Sequence, residues 1–96
     1  MYLYNVSIIV EKSEEDILVK WLENFLAGIG SYKLHFLHMM DSPHEGETYC
    51  IQGVFDAPST IEEFKQDAIA EIHKHIQSHH AQKAFIFDSV MRYIKH

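Results

Sequence analysis

The sequence predicts an α+β domain whose elements follow in the order βαββαβ. Three observations lead to this fold class. Apolar residues alternate with a period of two in four stretches, they recur at helical spacing in two others, and a turn-rich segment joins the second and third strands. A chain of 96 residues suffices for one domain, so we expect residues 1–96 to fold as a single unit.

The first strand and the first helix stand at the start of the chain. Residues 2–10 alternate between one face with Tyr2, Tyr4, Val6, Ile8 and Val10 and another with Leu3, Asn5, Ser7 and Ile9. Ser13 predicts the start of a helix, because the acidic residues after it suit the free N–H groups of a first turn. An apolar stripe follows, formed by Ile17, Leu18, Trp21, Leu22, Phe25 and Leu26, and Gly28 and Gly30 end the helix.

A hairpin occupies the middle of the chain. Strand-like runs at 33–40 and 48–56 flank a short segment in which Pro43 presets one backbone dihedral and Gly46 tolerates a positive φ. Within the first of these runs, His35 and His38 are three residues apart. Alternation sends them to opposite faces of the strand, so they cannot form one site together.

The second helix and the last strand complete the pattern. Ser59 with Glu62 predicts a capping box, and the helix is expected to end within residues 77–80. From Ala84 the period of two returns, with Phe85, Phe87, Ser89, Met91 and Tyr93 on one face and Ile86, Asp88, Val90, Arg92 and Ile94 on the other. Two crossovers of this kind predict a ferredoxin-like two-layer sandwich, a four-stranded antiparallel sheet with both helices on one face.

The sheet face that the helices leave open is the first candidate for function. We assign to it Leu3, Asn5, Ser7, Ile9, Leu37, Met39, Thr48, Cys50, Gln52, Val54, Ile86, Asp88, Val90, Arg92 and Ile94. Polar groups set among apolar ones are typical of a subunit interface or a small-molecule cleft. The hypothesis names Asn5, Gln52, Asp88 and Arg92 as ligand-binding candidates, with a salt-linked rim of Asp88 and Arg92 as the alternative. So large an apolar face also predicts a homodimer formed through it, as in a dimeric α/β barrel.

A histidine-rich stretch near the end of the second helix is the second candidate. His75 and His79 are four residues apart on one helix face, a spacing that can chelate a metal ion, and His73, His80 and His96 are candidates for further ligands. The stretch lacks the glutamate of a zincin motif and a nearby cysteine. The alternative is a solvated helix end, where cationic histidine is favoured by the helix dipole.

The composition argues against several classes of protein. A formal charge of −6 disfavours binding to a phosphate backbone, which draws its affinity from Lys and Arg. No apolar run approaches the roughly 20 residues that a membrane span needs, so the prediction is a cytoplasmic protein. The lone Cys50 is interpreted as a reduced, partly buried thiol. The chain has no nucleophile elbow and no phosphate-binding loop, which argues against nucleophilic catalysis. We also expect no cofactor.

Four segments carry a resemblance to a known family. Leu3-Tyr4-Asn5-Val6, Trp21-Leu22, residues 45–52 and residues 87–91 resemble, in order and spacing, the domain-of-unknown-function family 4286. The resemblance implies a small bacterial protein of ferredoxin-like fold with no assigned activity. Where members often carry a His-Ile-Pro segment, this chain has residues 27–31, so a function that rests on that histidine is not implied.

These observations favour a homodimeric interaction or small-ligand-binding module. The alternative, by analogy of fold, is an enzyme of the dimeric α/β-barrel type, either a cofactor-free monooxygenase or a haem-degrading enzyme. Some of these use an asparagine on strand one and a histidine on helix two, for which Asn5 and either His73 or His75 would be the counterparts. Asn5 alternates out of register with Tyr4, however, and should point away from the cleft between helices and sheet.

Overall fold

The computed structural model describes residues 1–95 and confirms the ferredoxin-like fold. The strands are β1 Tyr2–Val10, β2 Leu34–Met39, β3 Glu47–Phe55 and β4 Ala84–Arg92. The helices are α1 Lys12–Gly28, α2 Pro58–Phe64 and α3 Ala70–His79, and a π-helical turn, Lys65–Ile69, joins α2 to α3. The sheet order is β2-β3-β1-β4, and every neighbouring pair is antiparallel.

The core lies between the helices and one face of the sheet, which we call the covered face. Alternate residues of β1 are buried there, and so are Tyr49, Ile51 and Phe55 of β3. The helices contribute Leu18, Leu22, Ile61, Phe64, Ala68, Ile72 and Ile76. Aromatic rings fill the centre of this layer, where Phe64 lies 6.0 Å from Tyr4 and 5.5 Å from Phe55 between ring centroids. The period of two in the strands and the helical stripe thus meet as the sequence predicts.

Both helix starts differ in detail from the prediction. Helix α1 begins at Lys12, one residue before Ser13, and no side chain caps it. Helix α2 begins at Pro58 with Ala57 as its N-cap, so the capping box of Ser59 and Glu62 does not form. Proline at the first helical position has its φ preset and no N–H to satisfy, which favours a helix start at this residue.

One residue of the predicted stripe in α1 is not in the core. Ile17 is 65% exposed, whereas Leu18 and Leu22 are buried. The prediction was wrong for Ile17 because the stripe was drawn wider than the surface that this helix buries.

The assignment of β4 to the two faces was wrong. In the ladder with β1, Asp88 pairs with Val6, Val90 with Tyr4, and Arg92 with Tyr2. Paired residues of an antiparallel ladder point to the same side of a sheet, so the residues at 86, 88, 90 and 92 share the covered face. The period of two separates the faces of a strand but does not say which face meets the helices.

The hairpin loop follows the predicted turn chemistry. Gly46 has a φ of 84°, and a Cβ added there would clash with the carbonyl oxygen of Val10. Only glycine fits this position without strain. Gly46 therefore lets the chain pass close to the end of β1 just before β3 begins.

Within residues 1–95, none of the helices combines the length and the apolar character that crossing a membrane requires.

Candidate functional site

The open face of the sheet is defined by the strand register. Its fifteen positions are Leu3, Asn5, Ser7, Ile9, His35, Leu37, Met39, Thr48, Cys50, Gln52, Val54, Phe85, Phe87, Ser89 and Met91. Six large apolar side chains among them are between 39% and 56% exposed, namely Leu37, Met39, Val54, Phe85, Phe87 and Met91. The described chain places no Asp, Glu, Lys or Arg at these positions, although the sequence has 14 acidic and 8 basic residues. The open face therefore combines exposed apolar side chains with polar ones and has no Asp, Glu, Lys or Arg.

A strip of hydrogen-bonded polar side chains crosses the centre of this face. Gln52 Nε2 donates to Asn5 Oδ1 over 2.9 Å, and Asn5 Nδ2 donates to Ser7 Oγ over 3.0 Å. Ser7 Oγ then lies 3.6 Å from Cys50 Sγ. We call these four residues the polar strip. Each amide in it has more donors and acceptors than these bonds use, so the strip can pair with further polar groups.

Strand pairing brings the polar strip together. Asn5 lies opposite Gln52, and Ser7 lies opposite Cys50, on the two central strands β1 and β3. Side chains directly opposite each other on neighbouring strands come within contact distance. The strip is thus a consequence of the sheet register, and Cys50 in it is buried, as predicted.

The structure separates the four predicted ligand-binding residues. Asn5 and Gln52 contact each other on the open face, whereas Asp88 and Arg92 lie on the opposite side of the sheet. Asp88 accepts a hydrogen bond of 2.7 Å from the Tyr4 hydroxyl, and Lys65 Nζ lies 3.8 Å from the same carboxylate. Asp88 therefore forms its ion contact with Lys65 instead of the predicted rim with Arg92. Burial, and then the hydrogen bond to Asp88, raises the pKa of Tyr4 above its ordinary value.

The apolar half of the open face was not predicted from the sequence. Phe85, Phe87 and Met91 point away from the helices, so the more apolar face of β4 is the one that lacks a cover. The sequence does make the two faces of β4 unequal, with Asp88 and Arg92 on one and two phenylalanines on the other, but this inequality does not say which face meets the helices. An apolar strand face without a cover is unusual on a monomer.

The predicted histidine pair belongs to an aromatic stack. The ring of His75 lies 3.7 Å from Trp21, which stacks in turn on Phe25 at 5.0 Å between ring centroids. His79 lies 4.6 Å from His75 by the same measure. Burial first, and then the neighbouring histidines, lowers the pKa of His75.

A third histidine joins this cluster. His80 is 3% exposed, and its Nδ1 donates to Glu14 Oε1 over 3.0 Å. Among the described residues, Nε2 of His75 and Nε2 of His80 have no hydrogen-bond partner. His73 is exposed, and His96 lies outside the described residues. Metal binding by His75 and His79 stays a prediction.

The residues of the enzyme alternative do not meet within one chain. Asn5 lies on the open face, whereas His75 stacks on Trp21 in the helix layer on the far side of the sheet. A groove of ≈ 520 Å³ runs between α1 and the sheet and is lined by Asp16, Ile17, Val19, Lys20, Glu23 and Tyr49. Neither Asn5 nor His75 lines it. The geometry does not assemble the asparagine and histidine pair.

Solved structures share this fold. An antibiotic biosynthesis monooxygenase has a TM-score of 0.67 and 10% identity, covering 99% of this chain and 100% of that one. A dabb family protein with a ferredoxin-like fold from Mesorhizobium loti has a TM-score of 0.59 and 7% identity, with coverages of 99% and 100%. A cofactor-independent oxygenase from Streptomyces nogalater has a TM-score of 0.57 and 7% identity, with coverages of 99% and 94%. At such low identity the likeness shows the fold alone.

Sequence comparison gives the family. No match is found among curated proteins. The family model that matches is described as a domain of unknown function (DUF4286), and it spans residues 1–94. This match confirms the resemblance noted in the sequence. The chain belongs to the DUF4286 family, whose function is unknown.

Proposed function

We propose that this protein is a homodimeric interaction module in which two copies pack through their open faces to form a dimeric α/β barrel. The observation that carries the proposal is the lack of charge on that face. Charged residues make up 23% of the chain, yet none occupies the fifteen open-face positions of the described chain. Depletion of charged residues is the compositional mark of the core of an interface.

The exposed apolar area supports stable association. A fully exposed aromatic side chain offers about 150 to 250 Å², so the six half-exposed apolar side chains leave on the order of 500 Å² uncovered. Covering this area on both copies would contribute about 25 kcal/mol before costs, at ~25 cal/mol per Å². The entropic cost of association is estimated at about 4 to 15 kcal/mol, with side-chain ordering and desolvation in addition. The gross gain exceeds the entropic cost.

The arrangement of the face favours a second copy as the partner. The polar strip lies on the central strands β1 and β3. Beside it on β2 and β4 lie large apolar side chains, together with His35 opposite Gln52 and Ser89 opposite Asn5. Around a two-fold axis the same patch meets itself, so apolar edges would face apolar edges and strip would face strip. Asn5 and Gln52 suit this meeting, because each amide both donates and accepts hydrogen bonds.

We also propose that the dimer can bind a small ligand, although it does not need one to form. We further propose that the protein is cytoplasmic. A ligand held in the seam between the two sheets would be contacted by Asn5 and Gln52, the only two of the four predicted candidates that the open face includes. A reduced cytoplasmic environment agrees with the single buried Cys50. Fold analogy alone does not support an enzyme, because Asn5 and His75 lie on opposite sides of the sheet in one chain.

Sedimentation equilibrium tests the dimer with two matched variants. Phe87 and Val90 are both about half exposed on β4, but Phe87 lies on the open face and Val90 on the covered side. We expect wild type and Val90→Lys to be dimers at micromolar concentration and Phe87→Lys to be a monomer of unchanged circular dichroism. A monomeric wild type, or dissociation caused by Val90→Lys alone, contradicts the proposal.

A further inference from the structure

Three side chains with metal-binding atoms meet at the edge of the covered face. Glu15 comes from the first turn of α1, His38 from β2, and Glu47 is the first residue of β3. Each side chain offers one possible ligand atom, and these three atoms all lie within 4.8 Å of one another. His38 Nε2 donates to Glu47 Oε1 over 2.8 Å. Three elements that are distant in sequence thus bring an imidazole and two carboxylates to one point.

The buried Tyr49 holds two of these side chains in place. Its ring stacks on that of His38, with 4.3 Å between the ring centroids and 11° between the planes, and Phe36 lies 5.7 Å away on the same strand pair. The Tyr49 hydroxyl donates a hydrogen bond to the Glu15 carboxylate. In known metal sites, residues that contact the ligands without binding the metal hold those ligands in the orientation that the metal requires.

The charge and exposure of the cluster suit a divalent cation. Two carboxylates and a neutral imidazole carry a charge of −2, which a divalent ion compensates. Carboxylate oxygen and imidazole nitrogen are both ligands of Zn²⁺, at about 2.0 to 2.2 Å. Glu15 and Glu47 are half-buried and His38 is exposed, so an ion can reach them from solvent. A metal ion would take the place of the proton that His38 donates to Glu47.

We propose that Glu15, His38 and Glu47 bind one divalent transition-metal ion of the zinc type, with Tyr49 as the residue that positions Glu15. Three protein ligands leave a fourth tetrahedral position for water. The site lies on the covered side of the sheet, since His38 pairs with Tyr49, and is therefore separate from the open face. Its existence is independent of the proposed dimer.

Calorimetric titration of the chelator-treated protein with Zn²⁺ tests the site, and the visible absorption of the Co²⁺ form reports on its ligands. We expect one ion per chain at micromolar concentration, and a higher melting temperature with Zn²⁺. His38→Ala should abolish both the calorimetric signal and the rise in melting temperature with Zn²⁺. The matched control is His35→Ala, which removes a histidine from the opposite face of the same strand.

Two further pairs of variants define the ligands. Glu47→Gln should lose binding, whereas Glu45→Gln, in the neighbouring exposed loop, should keep it. Tyr49→Phe retains the three ligands but removes the hydroxyl that holds Glu15. The affinity for Zn²⁺ should therefore fall about 10- to 100-fold, as it does when other residues that hydrogen-bond to metal ligands are replaced. Circular dichroism of each variant verifies folding, which is expected because His38 is exposed and Glu47 half-buried.

The histidine cluster on α3 provides the competing outcome. His75→Ala combined with His79→Ala should leave zinc binding unchanged if the proposal is correct. Loss of binding in that double variant, with retention in His38→Ala, overturns it and assigns the ion to the histidine cluster. No binding by wild type at micromolar concentration also overturns it.

Discussion

The two faces of the sheet are made by alternate residues of the same four strands, yet they differ in what covers them. On the covered face, Tyr4, Val6 and Ile8 are buried under the helices. On the open face, Leu37 and Phe87 remain about half exposed. The covered face is apolar along the central strands, whereas the open face has the polar strip there. The comparison indicates that apolar character on the covered face stabilises the fold, whereas on the open face it is available for association.

The treatment of polar groups differs between the faces as well. At the edges of the covered face, polar groups pair with charged ones, as Tyr4 does with Asp88 and Tyr49 with Glu15. On the open face, the described residues pair neutral groups with neutral groups, as Asn5 does with Gln52. Neutral amides can exchange water for a partner chain at lower desolvation cost than charges can. The open face thus combines the features that an association surface requires.

The largest expected difference between the faces is in the effect of removing a phenylalanine. Phe64 is 1% exposed and packs against three aromatic rings, so Phe64→Ala should lower the free energy of unfolding by about 3 to 5 kcal/mol. Phe87→Ala, on the open face, should cost less than about 1 kcal/mol in dilute protein. Urea denaturation measures both. Equal losses would mean that the open face also contributes to the folding of the single chain.

The next effect concerns the turn that leads into β3. Gly46→Ala forces a side chain into a left-handed conformation and against the carbonyl of Val10, so it should destabilise the fold by about 1 to 3 kcal/mol or more. Gly28→Ala is the matched control, because a Cβ there meets nothing within 4 Å and φ is not positive. Thermal denaturation should show a clear loss for the first and little change for the second. A harmless Gly46→Ala would contradict the turn described.

A smaller difference in folding stability is expected between substitutions of two neighbouring residues of β4, Asp88 and Ser89. Asp88→Ala leaves the buried Tyr4 hydroxyl without its acceptor and should cost about 1 kcal/mol of unfolding free energy. Ser89→Ala, one residue further and on the open face, should change folding stability little. A double-mutant cycle with Tyr4→Phe measures the coupling directly. A coupling energy near zero would show that the Tyr4 and Asp88 pair does not stabilise the covered face.

The smallest effect is a dependence on pH. The pKa of His75 is lowered on folding from its ordinary value of about 6.5, so the unfolded chain binds this proton more readily. The stabilisation is complete above about pH 6.5 and is lost as the pH falls through the lower pKa of the folded state. The melting temperature should therefore fall on acidification, and His75→Gln should reduce the slope. His73→Gln, at an exposed position, should leave it unchanged, and the opposite result would contradict the assignment to His75.

Most of the fold could be predicted from sequence because each element leaves a local pattern. The alternation in residues 2–10 and the turn at Gly46 depend only on neighbouring residues. Which face of β4 meets the helices does not follow from such a local pattern. Asp88 and Arg92 were assigned to the open face, but they lie on the covered side of the sheet and are exposed to solvent there. The polarity of a residue in β4 therefore does not identify the face on which it lies.

The candidate sites were predictable only where strand pairing determines them. Asn5 and Gln52 were placed on one face by alternation, and the sheet register then puts them opposite each other. The meeting of Glu15 with His38 depends instead on where α1 lies over the sheet. No spacing along the chain encodes that position, so the cluster became visible only in three dimensions.

Isotope-filtered nuclear Overhauser spectra of a mixed labelled sample show whether two copies meet through the open face, as we propose. Contacts between labelled and unlabelled chains are measured residue by residue, and the 11.2 kDa chain is small enough for this. We expect such contacts from Leu37, Val54, Phe87 and Met91, and none from Ile17 on α1. Contacts confined to Ile17 and the helices, or no contacts between chains at millimolar concentration, would contradict it.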